Sequence, residues 1–322
     1  MKIQYPFLQL PLLYDAEALS AEIEALGESV WRPHPQGFAG NSALPLIAAH
    51  GDPASDSVRG PMRPTPHLER LPYLHEVLAS FGAVLGRSRL MRLSGSAEVT
   101  AHVDVDYYWR DHIRIHVPVV TQPEVTFFCG PHSLHMKAGE CWIFDTWAPH
   151  RVINSATSAR IHIVADTVGG EGFWRFVSAS RTPDYKGPWT ASRTPPGAAH
   201  PPLRCESTNL PAVMTPWELR EQITFVLDEA VPDTRLNEIH RLASDLARDW
   251  RALWACYGES REGWAEYRAR MQQFMHEVLP SADSLSLRNG VRMMRALSSL
   301  IALVAVADQR AAGEADERSA PL

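Results

Sequence analysis

The alternation of apolar and polar positions changes character twice along the chain. Residues Asp15 to Leu26 carry Leu19, Ile23 and Leu26 at helical spacing, and Leu71 to Leu85 repeats that pattern up to Gly86, so two helices are predicted before residue 88. From Ser88 onward the texture becomes one of short alternating runs at 89–93, 100–105, 113–120, 125–129, 140–145, 151–154 and 160–166. Turn sequences such as Cys129-Gly-Pro131 and Lys137-Ala-Gly139 separate them, which predicts an antiparallel sandwich or barrel braced by the N-terminal helices.

Between Arg181 and Thr215 the chain is rich in proline (Pro183, Pro188, Pro195, Pro196, Pro201, Pro202 and Pro211), a composition that disfavours helix and central strand and reads as a linker or a wrapping arm. Thr215-Pro-Trp-Glu218 then combines a capping box with proline at the first helical position, so a helix is expected from there to about Glu229. Helical patterns continue over Asp233 to Tyr257, Arg261 to Leu279 and Leu285 to Gln309, with Met271, Met275, Met293, Met294, Leu297 and Ile301 as the core stripe of a bundle. The expected organisation is a sheet-rich domain over 1–180, a proline-rich linker over 181–214, a helical domain over 215–312 and a disordered tail over 313–322. The fold class is α+β.

Composition narrows the function. With 322 residues, 45% of them hydrophobic, the chain can fill one sizeable core and a smaller appended unit. A net charge of −6 and the absence of a dense Lys/Arg cluster exclude an electrostatic footprint for nucleic acid or a membrane surface, which leaves a small molecule or peptide as the expected partner. The N-terminal Met-Lys-Ile-Gln-Tyr-Pro lacks the apolar run of a signal peptide, and the stretch Ala296 to Ala307 is too short to span a bilayer, so a cytoplasmic location is expected. Four scattered cysteines fit reduced thiols there.

The chemistry concentrates between residues 102 and 160. In a strand, residues i and i+2 share a face, so His102 and Asp104 would point together while Val103 and Val105 pack behind them. With His150 arriving from a second strand, two imidazoles and a carboxylate would cover one face of an octahedral metal and leave the opposite positions open. A structural zinc site would instead close with a fourth ligand, and neither Cys129 nor Cys141 belongs to a Cys-x-x-Cys pair, so an open Fe(II) site fits better. Arg160 opens the alternating run 160–166 and can grip a carboxylate through its fork, while Arg114 and His116 share one face of the strand 112–118 as a second grip for an anionic or keto group. Asp145 and Asn154 flank His150 and are candidates to orient it through hydrogen bonds. Tyr108, Trp109 and Arg110 are candidates for the substrate entrance, with Asn41 in the presumed loop 31–51, whereas His112, His132, His135 and His162 read as satisfied structural or surface histidines.

Together His102-Val-Asp104, Arg114-Ile-His116, Gly139-Glu-Cys-Trp-Ile-Phe-Asp145, His150-Arg-Val-Ile-Asn154 and Arg160 resemble the aspartyl/asparaginyl β-hydroxylase family of Fe(II)/2-oxoglutarate dioxygenases over roughly 89–167. The resemblance implies a double-stranded β-helix (jelly-roll, cupin-like) core, His102, Asp104 and His150 as iron ligands, and Arg160 on the far carboxylate of 2-oxoglutarate. Ser94 or Ser96 would assist Arg160, and Arg114 and His116 match the family's second pair near the cosubstrate. It further implies Fe(II), 2-oxoglutarate and O2 as cofactors, and hydroxylation of an amino-acid side chain, free or in a peptide, with succinate and CO2 as coproducts. The animal peptidyl hydroxylases of this family lack the metal carboxylate, whereas this chain keeps Asp104, as bacterial members and the related proline hydroxylases do; a retained carboxylate also argues against halogenation. The alternative is a non-catalytic sensor or scaffold that binds metal and 2-oxoglutarate and acts through the helical domain, which also offers a surface for a protein partner or for dimerisation.

Overall fold

A computed structural model of the chain describes residues 1–34, 37, 39–197 and 200–306; the tail expected at 313–322 lies outside the described residues. The described chain divides into two compact units, one of residues 1–102 and 111–209 and one of residues 103–110 and 210–306.

In chain order the elements are β1 (Phe7–Tyr14), α1 (Ala16–Glu24), β2 (Arg32–Pro33), β3 (Asn41–Ala49), β4 (Met62–Pro64), α2 (Pro72–Ser80), β5 (Val84–Leu93) and β6 (Ala97–His102). There follow α3 (Tyr107–Asp111), β7 (Ile113–Val120), β8 (Val125–Cys129), β9 (His132–Leu134), β10 (Glu140–Phe144), β11 (His150–Asn154), β12 (Arg160–Gly169), α4 (Glu171–Ser178) and β13 (Ser192–Thr194). Helices α5 (Pro216–Asp228), α6 (Leu236–Tyr257), α7 (Trp264–Ala282) and α8 (Met293–Leu297) complete the described chain.

Strands β5 to β12 distribute between two sheets in the order β10-β7-β12-β5 and β6-β11-β8-β9. Their pairings are all antiparallel, and this order is that of a double-stranded β-helix. The larger sheet continues through β1 beside β10 and β3 beside β5. Alternation assigns its two faces. Ile113, Ile115, Val117, Leu90, Ile163 and Ala165 join Leu19, Ile23, Leu74, Val77 and Phe173 of the helices in one core. The intervening residues face the smaller sheet, where Leu93, Phe127, Phe144, Trp142 and Val152 form a second core.

Two strands depart from the sequence expectation. β1 (Phe-Leu-Gln-Leu-Pro-Leu-Leu-Tyr) is apolar at nearly every position and buried along most of its length, so it shows no alternation. β3 occupies residues 41–49 of the stretch 31–51 expected to be a loop, and contains Pro45, accommodated where the β3–β5 register shifts between Pro45 and Ile47, the kind of irregularity in which a strand tolerates proline. The second helix ends at Ser80 rather than near Gly86, because Gly82 at φ +61 turns the chain into β5.

The proline-rich stretch runs along the first unit as an arm. Arg181 bridges Gln9, β13 pairs parallel with β1, and Cys205 bridges Leu85. A buried pair of His112 and Glu206 fastens it further. In the second unit the capping box forms as read, with Glu218 N donating to Thr215 Oγ1 at 3.2 Å and Thr215 N to Glu218 Oε2 at 3.3 Å. Its core includes Leu219, Leu246, Trp250, Tyr267, Met271, Phe274 and Met293, with the Trp250 and Tyr267 rings 4.6 Å apart. The last predicted helix is shorter than expected: Asn289-Gly290, with glycine at φ +85, makes a turn, and α8 begins only at Met293 before a single π turn over Ser298–Ala302. No helix among the described residues is long and apolar enough to cross a membrane.

Candidate metal centre

β6 ends at His102 and β11 begins at His150, and the antiparallel register sets these two residues opposite each other. Opposed residues project on the same face of a sheet, and the two imidazoles lie with ring centroids 4.2 Å apart. The Nδ1 of His102 is 2.8 Å from the Thr100 carbonyl, and the Nδ1 of His150 is 3.0 Å from that of Ala148. A carbonyl only accepts, so each Nδ1 carries the proton, and each Nε2 presents its lone pair, the state a metal requires.

Asp104 completes the group: one ligand atom each from His102, Asp104 and His150 lies within 4.8 Å of the others. Asp104 does not come from the His102 strand, however. The ladder stops at His102, and the chain turns towards α3, where the Asp106 side chain accepts from Tyr108 N at 2.9 Å. Two imidazoles, each with Nδ1 engaged by a carbonyl, and a buried carboxylate form a donor set suited to a divalent iron ion with open positions.

The inner face of the larger sheet is arranged in rows read from the pairings. Asn41, Leu93 and Arg160 stand side by side on β3, β5 and β12. The next rows place Met91 beside His162, and Arg89 beside Val164 and His116; beyond them Asp166 lies opposite Arg114. Arg160 is 4% exposed, and its Nε and Nη1 have no hydrogen-bond partner among the described residues. Burial lowers its pKa to about 10, yet it stays charged at neutral pH, so this interior holds an unanswered cation. An anionic cosubstrate with a carboxylate would supply the missing partner. Asn41 Oδ1 at the same end is likewise buried without a partner.

Other candidates occupy different environments from those expected. Arg114 donates from Nε to Asp166 Oδ1 at 3.1 Å. His116 packs against Phe144 at 5.2 Å, and Phe144 lies 5.0 Å from His150, which brings the Arg114/His116 strand beside the candidate ligands. Ser94 is exposed at the end of β5, where its carbonyl accepts from Asn154, and no hydrogen bond joins it to Arg160 among the described residues. Asn154 does not orient His150. Its amide donates to the carbonyls of Leu93, Ser94 and Ser158, tying the end of β11 to the end of β5. Asp145 acts one step away, accepting from Trp147 N at 3.0 Å in the turn that carries the Ala148 carbonyl. Tyr108 and Trp109 are buried edge to face, and Arg110 is engaged by Gln222 at 3.1 Å and by the Phe225 ring at 3.7 Å, so it is a tie within the second unit rather than an entrance handle.

His162 overturns its reading as a satisfied histidine. It is fully buried with neither ring nitrogen bonded among the described residues, it stacks on Phe127 at 5.3 Å, and burial, then Arg160 and His116, hold its pKa well below the ordinary value. Arg89 escaped notice as well. Its place on the inner face followed from the alternation Arg87, Arg89, Met91, but which face was inner depended on pairings remote in sequence.

Residues 46–169 match the sequence profile of aspartyl/asparaginyl β-hydroxylase. Among curated proteins the chain is 29% identical over 166 residues to L-proline cis-3-hydroxylase 1 of Streptomyces sp, covering 47% of this chain and 56% of that protein. It is 27% identical over 126 residues to L-proline cis-4-hydroxylase of Rhizobium meliloti (strain 1021), covering 38% and 45%. The chain thus spans about half the length of the curated relatives it matches. Solved structures with likeness include a 2OG-Fe(II) oxygenase family oxidoreductase from Burkholderia pseudomallei, at 15% identity and TM-score 0.38 over 52% of this chain and 88% of that one. Another is HygX from Streptomyces hygroscopicus with nickel and 2-oxoglutarate bound, at 11% identity and TM-score 0.36 over 52% and 83%. The stretch 46–169 that matches the aspartyl/asparaginyl β-hydroxylase profile carries His102, Asp104, His150 and Arg160.

Proposed function

We propose that this protein is an Fe(II)/2-oxoglutarate-dependent oxygenase that hydroxylates an amino-acid side chain, either of a free amino acid or within a peptide. The observation that carries the reading is the convergence of His102, Asp104 and His150 beside a buried Arg160 without a counter-ion. Iron with 2-oxoglutarate and dioxygen supplies the oxidation of an unactivated C–H bond, leaving succinate and CO2 as coproducts.

This chain's residues supply position and a dry environment. The Thr100 and Ala148 carbonyls fix both imidazoles in the tautomer that offers Nε2 to the ion. Arg160 would take the far carboxylate of the cosubstrate in a charge-assisted, two-pronged contact, with His162 and Asn41 alongside as unsatisfied polar groups. Phe127, Phe144, Trp142 and Val152 wall the interior and keep water from the reacting groups. A reducing compartment such as the cytoplasm suits a ferrous ion and the free cysteines Cys129, Cys141, Cys205 and Cys256.

Because two relatives are named for L-proline, proline and other free amino acids are the first substrates to test, followed by peptides. The test incubates the protein with iron, 2-oxoglutarate, ascorbate and air against such a panel and measures succinate. Substrate-stimulated succinate is expected from the unaltered protein, with none from His102→Ala or His150→Ala. No succinate above background with any panel member would count against an oxygenase.

A further inference from the structure

The segment that follows His102 has no part in the chemistry proposed above, yet it carries one of the three ligands. The ladder of β6 ends at His102, and residues 103–110 pack within the second unit, together with 210–306. Asp104 lies on this segment. His102 and His150 are fixed by a different device, the β6–β11 pairing that sets them opposite each other. What fixes the carboxylate must be sought among the contacts that 103–110 makes with the helices of its own unit.

α3 is a short helical turn opened by Asp106, whose side chain accepts from Tyr108 N at 2.9 Å and whose carbonyl accepts from Trp109 N at 3.1 Å. Tyr107 and Arg110 are at i and i+3 and share one face of that turn. Both reach α5. The Tyr107 hydroxyl donates to Glu218 Oε1, Arg110 donates from Nε to Gln222 Oε1 at 3.1 Å, and the Arg110 guanidinium carbon lies 3.7 Å from the centre of the Phe225 ring. Glu218, Gln222 and Phe225 are at i, i+4 and i+7, so they form a single stripe along α5.

That stripe has a firm base. Glu218 Oε2 accepts from Thr215 N in the capping box, so one carboxylate closes the start of α5 with one oxygen and holds Tyr107 with the other. Met214, the residue before the cap, accepts through its carbonyl from the Trp250 indole at 2.8 Å and donates from its N–H to the Ala305 carbonyl at 2.8 Å. Trp250 is fully buried, and Gln222 is 2% exposed. A hydrogen bond between buried groups is costly to leave half made, so α3 prefers this one seat. Only Val105 and Asp106 separate Asp104 from Tyr107. Three steps of chain reach about 10 Å at most, so a shift of α3 is passed on to Asp104.

We propose that the helical unit positions the metal carboxylate: Tyr107 and Arg110, seated on Glu218, Gln222 and Phe225 of α5, are positioning residues that hold Asp104 ready for the ion. The inference rests on the ligand role that the oxygenase reading gives Asp104. Binding an ion to a loosely held carboxylate includes the cost of ordering it, and the α3–α5 seat removes that cost beforehand. The helical unit lies largely outside the matched stretch 46–169, and this gives it a part in the metal chemistry.

The test is titration of the full chain with Co(II) alone, whose visible absorption reports its ligand set, in a double-mutant cycle. One arm is Tyr107→Phe combined with Arg110→Met, which removes both ties while keeping bulk and the capping box; the other is Asp104→Ala. The tie variant is expected to bind Co(II) about tenfold or more weakly than the parent, with a spectrum shifted towards that of Asp104→Ala. With Asp104→Ala already present, removing the ties should change affinity by less than about twofold. A merely structural contact would lower the melting temperature and leave the affinity and spectrum of the folded protein as in the parent, and that result overturns the inference. Equal weakening with and without Asp104 overturns it too. Should the combined variant fail to fold, Gln222→Leu cuts the Arg110 tie from the α5 side and is expected to weaken binding several-fold in the same cycle; unchanged binding there overturns the inference. No Co(II) uptake by the parent removes the ligand role and the inference with it. The expected cycle without succinate formation keeps the inference and overturns the oxygenase reading instead.

Discussion

Replacing Arg160 with methionine should make the ligand-free protein more stable while abolishing its response to 2-oxoglutarate. The guanidinium is 4% exposed, has two nitrogens without partners among the described residues, and has its pKa lowered from 12.5 to about 10 by burial. A base whose folded pKa is depressed is destabilised in its charged form. The penalty is therefore complete below about pH 10 and fades as pH rises towards 12.5, and at pH 7 it amounts to about 3 kcal/mol. The face of Phe127, 5.4 Å from the guanidinium carbon, offsets about 1 kcal/mol of this. Methionine fills similar volume without charge, so a net gain of about 2 kcal/mol is expected, or roughly 4–8 °C in melting temperature. Thermal unfolding of both proteins, with and without saturating 2-oxoglutarate, reads the two effects together: the unaltered protein should gain stability from the cosubstrate and the variant should not. A variant that melts lower than the parent, or that 2-oxoglutarate still stabilises equally, would refute the reasoning.

His162→Leu should flatten the acid side of the stability profile. The folded protein does not protonate this buried ring near pH 6.5 whereas the unfolded chain does, so stability is complete above pH 6.5 and falls below it by about 1.4 kcal/mol per pH unit for this group; denaturant midpoints from pH 7 to 4 that run parallel in variant and parent would contradict it. Glu206→Ala removes the buried partner of His112 and should cost about 3 kcal/mol or more in urea unfolding, with a loss under 1 kcal/mol excluding the fastening role of the arm. Gly139→Ala places a Cβ 2.4 Å from the Tyr14 carbonyl oxygen at φ +78, so a loss of about 2 kcal/mol or more is expected, checked by chemical denaturation.

The candidate ligands were legible because chemistry that needs two imidazoles and a carboxylate leaves few alternatives in 102–150. Strands β7 and β8 were legible to the residue, since each has one face on a core and one on a different environment. β1 and β3 were not, because apolar residues on both faces erase alternation and Pro45 argues locally against a strand that a register shift permits. The choice between sandwich and β-helix depended on β5 (residues 84–93) pairing with β12 (residues 160–169), a contact remote in sequence. The same pairing turns Arg89 and His162 inward, so neither could be distinguished from a surface residue before the sheets were assembled. Asp104 was singled out by type and spacing, although the strand geometry that suggested it ends at His102.

The central claim is that His102, Asp104 and His150 hold one metal ion, and anaerobic titration with Fe(II) tests it most directly. One ion per chain should bind to the unaltered protein, and the visible charge-transfer band should appear when 2-oxoglutarate is added. Asp104→Ala should lose both while keeping its fold. Absence of stoichiometric uptake, or equal uptake by Asp104→Ala, would contradict the account.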